Sequence, residues 1–374
     1  MTEVHGFCDE RFSALEELFR HNLATGVDVG ACLAATLEGE PVVDLWGGTS
    51  DWRLERPWAE DTLGLVFSTS KIITIITLLL LYDRGQLDLD APIASYWPEF
   101  GRNGKDTITT RQVLVHRSGV PGFGRKLAFE ELQDWDRVIG SIEGAELWYE
   151  PDTVTHYSFF ASGFILAELV ARIAGVPFAH FYRRELAEPL GADFHFGLSD
   201  HDDHARVADI WPADQMEYYD ADPVFAELEQ GNWLSAECMS AVMPSVNGIG
   251  NARGIARLTS VISAGGVVGG RRFLSPETVE ESGTEQSYTE DRFVGWVRFG
   301  LGWALDHAHF PAPTPTALHW GGYGGSLAVM DPAVGLSVAF VPNKLRVGEP
   351  GAPFSEQRLV RYWETIGDVA RTLA

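Results

Sequence analysis

The chain has 374 residues, 45% of them hydrophobic and 11% aromatic. That is enough for a two-lobed fold with a large core, and it excludes a disordered chain. A formal net charge of −25 repels nucleic acid and anionic membrane surfaces, so neither is expected as a partner.

Residues 10–24 carry Phe12, Leu15, Leu18, Phe19 and Leu23 at helical spacing, which predicts a helix. GACLAATLEG and PVVDLWGG, joined at Gly39-Glu40-Pro41, predict a β-hairpin. Residues 69–84 predict an apolar helix stopped by Gly85. LDLDAPIASYWPEF reads as an irregular connection with short helical turns. TITTRQVLVHRSGVPGF reads as a helix capped by one of its threonines, then a loop. Helical periods follow over 128–145, 159–175 and 177–187. From about 200 to 235 the chain is polar and irregular. Its SDHDDH, 199–204, has metal-ligand residue types but reads as a solvated acidic loop, and no metal is expected.

Residues 252–266 predict a helix ended by Gly265-Gly266, and Ser275-Pro276 starts a short one. Strands are predicted over 294–305, 317–330 and 335–342, with a Pro-rich FPAPTPT between the first two, and a last helix over 354–373. Strands near both ends with helices between them imply one sheet built from both termini and an inserted helical lobe. The expected division is 1–85 with 245–374 as the sheet domain and 86–244 as the helical domain, the site lying between them.

Cys8, Cys32 and Cys238 are too few and too scattered for a disulfide framework or a zinc site. The N-terminal MTEVHGFCDERFSALEEL has no basic stretch ahead of an apolar one, unlike a secretory signal. The longest apolar run, 72–82, is too short to cross a bilayer. A cytoplasmic protein is expected.

The chemistry begins at LVFSTSKIITIITLLLLYDRG, 65–85. There are four lysines, at 71, 105, 126 and 344, and only Lys71 heads a run this apolar. A buried ammonium is costly unless something uses it. Ser68 stands three residues earlier, on the same face of a helix start. A serine hydroxyl is a poor nucleophile until a neighbour takes its proton, and a lysine can do so once burial and the helix N-terminus lower its pKa. Backbone N–H groups at the same helix end suit a developing oxyanion. Ser-x-x-Lys alone arises by chance, and a lysine at a helix end also snorkels to solvent.

Two further elements bear on it. Tyr157-Ser158 stands just before a predicted helix. A phenol near an ammonium can exist partly as phenolate and share in proton transfer, although a lone tyrosine is more often a packing residue. ALHWGGYGGSLAVMDP, 317–332, places two Gly-Gly pairs in a predicted strand, where glycine is costly and marks a bulge or the close approach of a ligand or another backbone.

Ser-x-x-Lys, a Tyr ahead of a helix about ninety residues later and a Gly-rich strand near the C-terminus together resemble the serine β-lactamase and DD-peptidase superfamily. The chain is more closely similar to the class C branch and to the family VIII carboxylesterases that share its fold. GQLDLDAPIASYWPEF, LVHRSGVPGF, ARGIARL with FLSPETV, and GGSLAVMDP fit the same pattern, in order, over nearly the whole chain.

The resemblance implies an α/β (α+β) fold of β-lactamase/transpeptidase type: an antiparallel sheet built from both chain ends, flanked by helices, with an inserted helical lobe. It implies Ser68 as the acylated nucleophile and Lys71 and Tyr157 as its acid–base partners, with no cofactor. The oxyanion hole would be the Ser68 N–H plus one N–H of the Gly-rich strand. The family's Lys-Thr-Gly triplet is often His-x-Gly or Trp-Gly-Gly in the esterases, and here both frames overlap at His319-Trp320-Gly321-Gly322. In the Trp-Gly-Gly frame, which Gly324-Gly325-Ser326 favours, Trp320 faces the site and Tyr323 donates. In the other, His319 faces the site and Gly322 donates. Strand alternation forbids both at once.

Two departures matter. The lactamases' Tyr-x-Asn has Phe159 in its third position, which neither donates nor accepts there, and the lysine of Lys-Thr-Gly is absent. Both losses argue against penicillin-like substrates and for a small-molecule, neutral, apolar ester. Trp320, His319, Gly321, Phe159 and Phe123 are expected around it. A Gly-x-Ser-x-Gly hydrolase is rejected, because Gly324-Gly325-Ser326-Leu327-Ala328 lacks the final glycine and no histidine follows. An acyltransferase or amidase would share the acyl-enzyme. A non-catalytic acyl- or β-lactam-binding sensor would not need Ser68, Lys71 and Tyr157 together. The expected activity is a serine carboxylesterase with weak or no β-lactamase activity.

Overall fold

A computed structural model describes residues 3–51, 53–199, 201–211, 231–348 and 355–373. Both ends of the chain enter one six-stranded sheet, in the order Val4–Cys8, Glu40–Gly48, Gly30–Leu37, Leu336–Pro342, Leu327–Asp331, Leu318–Gly321, every neighbouring pair antiparallel. The central strand, GACLAATL, is buried on both faces, and its alternation sorts two apolar layers. Ala31, Leu33 and Ala35 join Phe12, Phe19, Tyr362 and Ile366 under the helices Ser13–Ala24 and Gln357–Leu373. Cys32 and Ala34 face the opposite layer, where small side chains let the helix Ala252–Ser263 lie close. Cys32 Sγ accepts the Ala252 N–H at 3.3 Å. All three cysteines are free thiols.

The helix Ser70–Asp83 has no polar face. Every residue from Ser70 to Leu81 is buried, as expected of a helix apolar all round. It lies between Ala252–Ser263 and the helical lobe's Ala161–Ala174. Its threonine hydroxyls are satisfied, Thr77 within the helix on Ile73 O at 2.7 Å and Thr74 across on Pro244 O at 2.8 Å. Helix starts fall where side-chain caps permit. Thr109 and Gln112 form a capping box, and Asn251 and Ser275 accept the N–H groups of Gly254 and Thr278.

Two expectations are corrected, and one strand went unread. The strand predicted over 317–330 is a hairpin, because Gly322 donates to Ser326 O (2.8 Å) and Gly325 to Gly322 O (3.0 Å), closing a turn. The strand predicted over 294–305 stops at Phe299 and pairs with Ser287–Asp291, which carries no apolar alternation. The edge strand Val4–Cys8 escapes periodicity because its side chains are mostly exposed and Gly6 sits at φ +104°. Within the acidic run 199–204, expected as a loop, His201–His204 forms one helical turn, and more than half of the irregular stretch 200–235 lies outside the described residues. Among the described residues, no group of three or more His, Cys, Asp or Glu is arranged to hold a metal ion.

Candidate active site

Ser68 sits in a single 3-10 turn, Phe67–Thr69, that feeds the apolar helix. Phe67 ahead of it has φ +45°, a left-handed conformation that costs a bulky residue about 1–3 kcal/mol. The surroundings hold it there. Its ring stands edge-on to Trp233 (5.4 Å) and Tyr323 (5.5 Å). Its carbonyl accepts the Ser70 hydroxyl at 2.5 Å, and Ser70 Oγ in turn accepts the Gly248 N–H at 2.9 Å.

Lys71 Nζ lies 3.3 Å from Ser68 Oγ, 2.8 Å from Phe159 O and 3.3 Å from Ser245 O. Burial pushes its pKa well below the lysine range. A neutral amine has two hydrogens and one lone pair. In that form the two carbonyls can take the hydrogens, which leaves the lone pair for the Ser68 O–H.

Tyr157 is buried beside them. Its hydroxyl accepts the Trp320 Nε1–H at 3.1 Å and bonds the Ser68 hydroxyl. Burial raises its pKa above the phenol range. Burial thus favours the protonated phenol over the partial phenolate expected from the sequence.

His116, Ser245 and Asp291 also belong to this cluster and escaped sequence reasoning. His116, at φ +57°, packs its ring 4.6 Å from that of Tyr157, and its Nδ1 accepts the Ser158 N–H at 3.1 Å. Burial holds the imidazole well below its usual range, and so neutral. Asp291 is buried, and its Oδ1 accepts the N–H groups of Phe293 (2.7 Å) and Val294 (3.1 Å). Burial pushes its carboxyl up to about 6, against the N–H groups of Phe293, Val294 and Tyr157. Within EDRF it reads as an ordinary surface turn. Ser245 acts through its carbonyl, which no residue-type pattern reveals.

The Gly-rich hairpin resolves the two overlapping frames. Trp320 turns toward Tyr157. His319 turns to the other face, edge-on to Trp363 (4.5 Å) and near Phe310 (5.7 Å), where burial pushes it down to about 3. His319 is thus corrected from a substrate-binding residue to a packing residue under the C-terminal helix. Gly322 is corrected as the alternate oxyanion donor, since its N–H is held by Ser326 O. Its lack of a side chain has another cause: a Cβ there would come 2.0 Å from Val66 O, so the hairpin touches the backbone that leads into Ser68. Ser326 Oγ clamps the same contact, donating to Val66 O at 2.7 Å and meeting Thr69 Oγ1 at 2.9 Å. Gly322 C=O points into the turn, and in a trans peptide the Tyr323 N–H points the opposite way. Gly321 closes the ladder opposite Leu327. Phe159 stands edge-on to Tyr157 (5.0 Å) and Phe293 (4.8 Å). Phe123 packs on Phe160 (6.3 Å) and Phe164 (6.2 Å) in the helical lobe rather than on Tyr157.

Fold and site together define a serine hydrolase in which an amine stands where other serine hydrolases place a histidine. The chain belongs to the Beta-lactamase family, whose model matches residues 15–357. It is 31% identical to the esterase/beta-lactamase LipL of Mycobacterium tuberculosis, over 91% of this chain and 83% of that one. It superposes on a penicillin-binding protein homologue from Caulobacter crescentus with TM-score 0.89 and 31% identity, over 98% of this chain and 100% of that one. A family VIII carboxylesterase structure matches with TM-score 0.88 and 31% identity over the full length, 100%, of both chains.

Proposed function

We propose that the protein is a carboxylesterase that hydrolyses small esters through an acyl-enzyme on Ser68. The observation that carries this is the buried Lys71 amine, 3.3 Å from Ser68 Oγ, with two carbonyls to occupy its hydrogens. Lys71 takes the Ser68 proton as Oγ attacks the ester carbonyl carbon. The oxyanion is held by the N–H groups of Ser68 and Tyr323. Tyr157 gives its proton to the departing alkoxide as the tetrahedral intermediate collapses, and Lys71 returns a proton to Tyr157. Water then attacks the acyl-enzyme by the same route, and Ser68 regains its proton.

Phe159 decides between esters and amides. It presents a ring where a substrate N–H or C=O would need a hydrogen-bond partner, which an ester of an apolar acid does not need. Nitrocefin is therefore expected to be turned over on the order of a hundredfold less efficiently, in kcat/KM, than p-nitrophenyl butyrate. Parity between the two would contradict this role for Phe159.

Tyr157→Phe is expected to lower kcat by about a hundredfold or more, with the Trp320 indole N–H losing its acceptor. Stopped-flow release of p-nitrophenol measures it, and a wild-type rate takes the tyrosine out of the proton path. The activity itself is tested by intact mass spectrometry of a quenched p-nitrophenyl butyrate reaction. A butyryl adduct in wild type and none in Ser68→Ala is the expected result. Turnover without a Ser68 adduct overturns the acyl-enzyme.

A further inference from the structure

Away from Ser68, the C-terminal helix buries an ion pair completely. Arg358 and Asp28 both have 0% side-chain exposure and meet at 2.6 Å, Nη1 to Oδ1. A buried pair adds little net stability, because desolvation offsets the attraction. What this pair does supply is a fixed position for the guanidinium. Arg358 Nη1 also donates to Lys344 O at 2.9 Å, and Nη2 donates to Gly324 O at 2.6 Å. Gly324 O accepts a second bond from the Arg346 N–H at 3.0 Å. Gly325 is left bare for the same reason, since a Cβ there would lie 2.2 Å from Arg358 Nη2.

Gly324 is the third residue of the turn that carries the Tyr323 N–H. That turn is held on its site side by Ser326 on Val66 and Thr69, and on its far side by Arg358. Arg358 fixes the Gly324–Gly325 peptide by its carbonyl, and the N–H of that same peptide donates to Gly322 O at 3.0 Å, so the Gly322–Tyr323 peptide cannot rotate without breaking a bond to a peptide that a guanidinium holds in place.

We propose that Arg358, fixed by Asp28, is a positioning residue for the oxyanion hole, holding the Tyr323 N–H in register with Ser68. The proposal rests on the ester-hydrolase reading above. Its effect should be confined to charge that develops on the carbonyl oxygen, and ground-state binding should hardly move.

The test compares with wild type Arg358→Lys and the charge-free pair Asp28→Asn/Arg358→Met, which removes both charges of the ion pair and leaves the nearby Glu356 carboxylate on the backbone N–H groups of residues 358 and 359. Arg358→Lys keeps a partner for Asp28, but a single ammonium cannot span Asp28, Lys344 O and Gly324 O as a planar fork does. The readouts are kcat and KM for p-nitrophenyl butyrate, inhibition by butylboronic acid as a tetrahedral analogue, and thermal melting. In Arg358→Lys, kcat is expected to fall about tenfold to a hundredfold with KM within twofold, and the boronate Ki to rise by the same factor. The charge-free pair should lose at least as much. A folded Arg358→Lys protein with wild-type kcat and boronate affinity overturns the proposal and leaves the esterase standing. So does a loss carried by KM alone. Wild type that neither turns over the ester nor binds the boronate overturns the esterase reading and this proposal with it.

Discussion

Ser68→Ala is expected to reduce p-nitrophenyl butyrate turnover on the order of a millionfold, to the level set by binding and the oxyanion hole alone. The fold should survive. Ser68 Oγ meets Lys71 and Tyr157 and, among the described residues, ties no backbone group, whereas the neighbouring Ser70 ties Phe67 O to the Gly248 N–H. The two serines therefore make a matched pair. Ser68→Ala should melt close to wild type and be inactive. Ser70→Ala should lose stability, because Phe67 keeps its left-handed φ of +45° only while its carbonyl and ring are held. Calorimetry on both variants beside their kinetics measures this. An active Ser68→Ala protein removes the nucleophile, and with it the acyl-enzyme.

Much of the site was legible because it is local. A lysine at the head of an all-apolar helix, a hydroxyl one turn before it and a threonine at a helix start are patterns within a few residues. So were the central hairpin and the apolar helix, where one period dominates. What stayed hidden is set by distant partners. Trp320 faces the site and His319 does not because Trp363 and Phe310, from other segments, offer the histidine a pocket. Alternation alone states only that one of the two faces inward. The carbonyls that orient Lys71 come from Phe159 and Ser245, 88 and 174 residues away, and any residue type supplies a carbonyl. Asp291 lies in a turn whose sequence is indistinguishable from a solvated one. The glycines of 321–325 were visible as a close approach, but not which backbone approaches.

Lys71 carries the sharper distinction, because a lysine in a hydrolase can work either as a base or as a fixed cation. Burial holds its pKa well below the ordinary value of 10.5. A base works when neutral, so kcat/KM should rise as pH climbs through the depressed value and stay on a plateau above it. A cation would lose activity over the same interval. Lys71→Ala is expected to lower kcat by about four orders of magnitude. Lys71→Arg should be as inactive, since a guanidinium stays protonated at every accessible pH. Substantial activity in Lys71→Arg would make the side chain a cation and sink the base. Stability gives an independent reading of the same pKa. The folded value lies below the unfolded one, so between them the unfolded chain binds more protons, and stability is lost as pH falls through that window. Replacing Lys71 by Met removes the titrating group. The pH slope of thermal stability across that window should flatten in Lys71→Met, and an unchanged slope would place the amine's pKa in its ordinary range and leave Ser68 without its base.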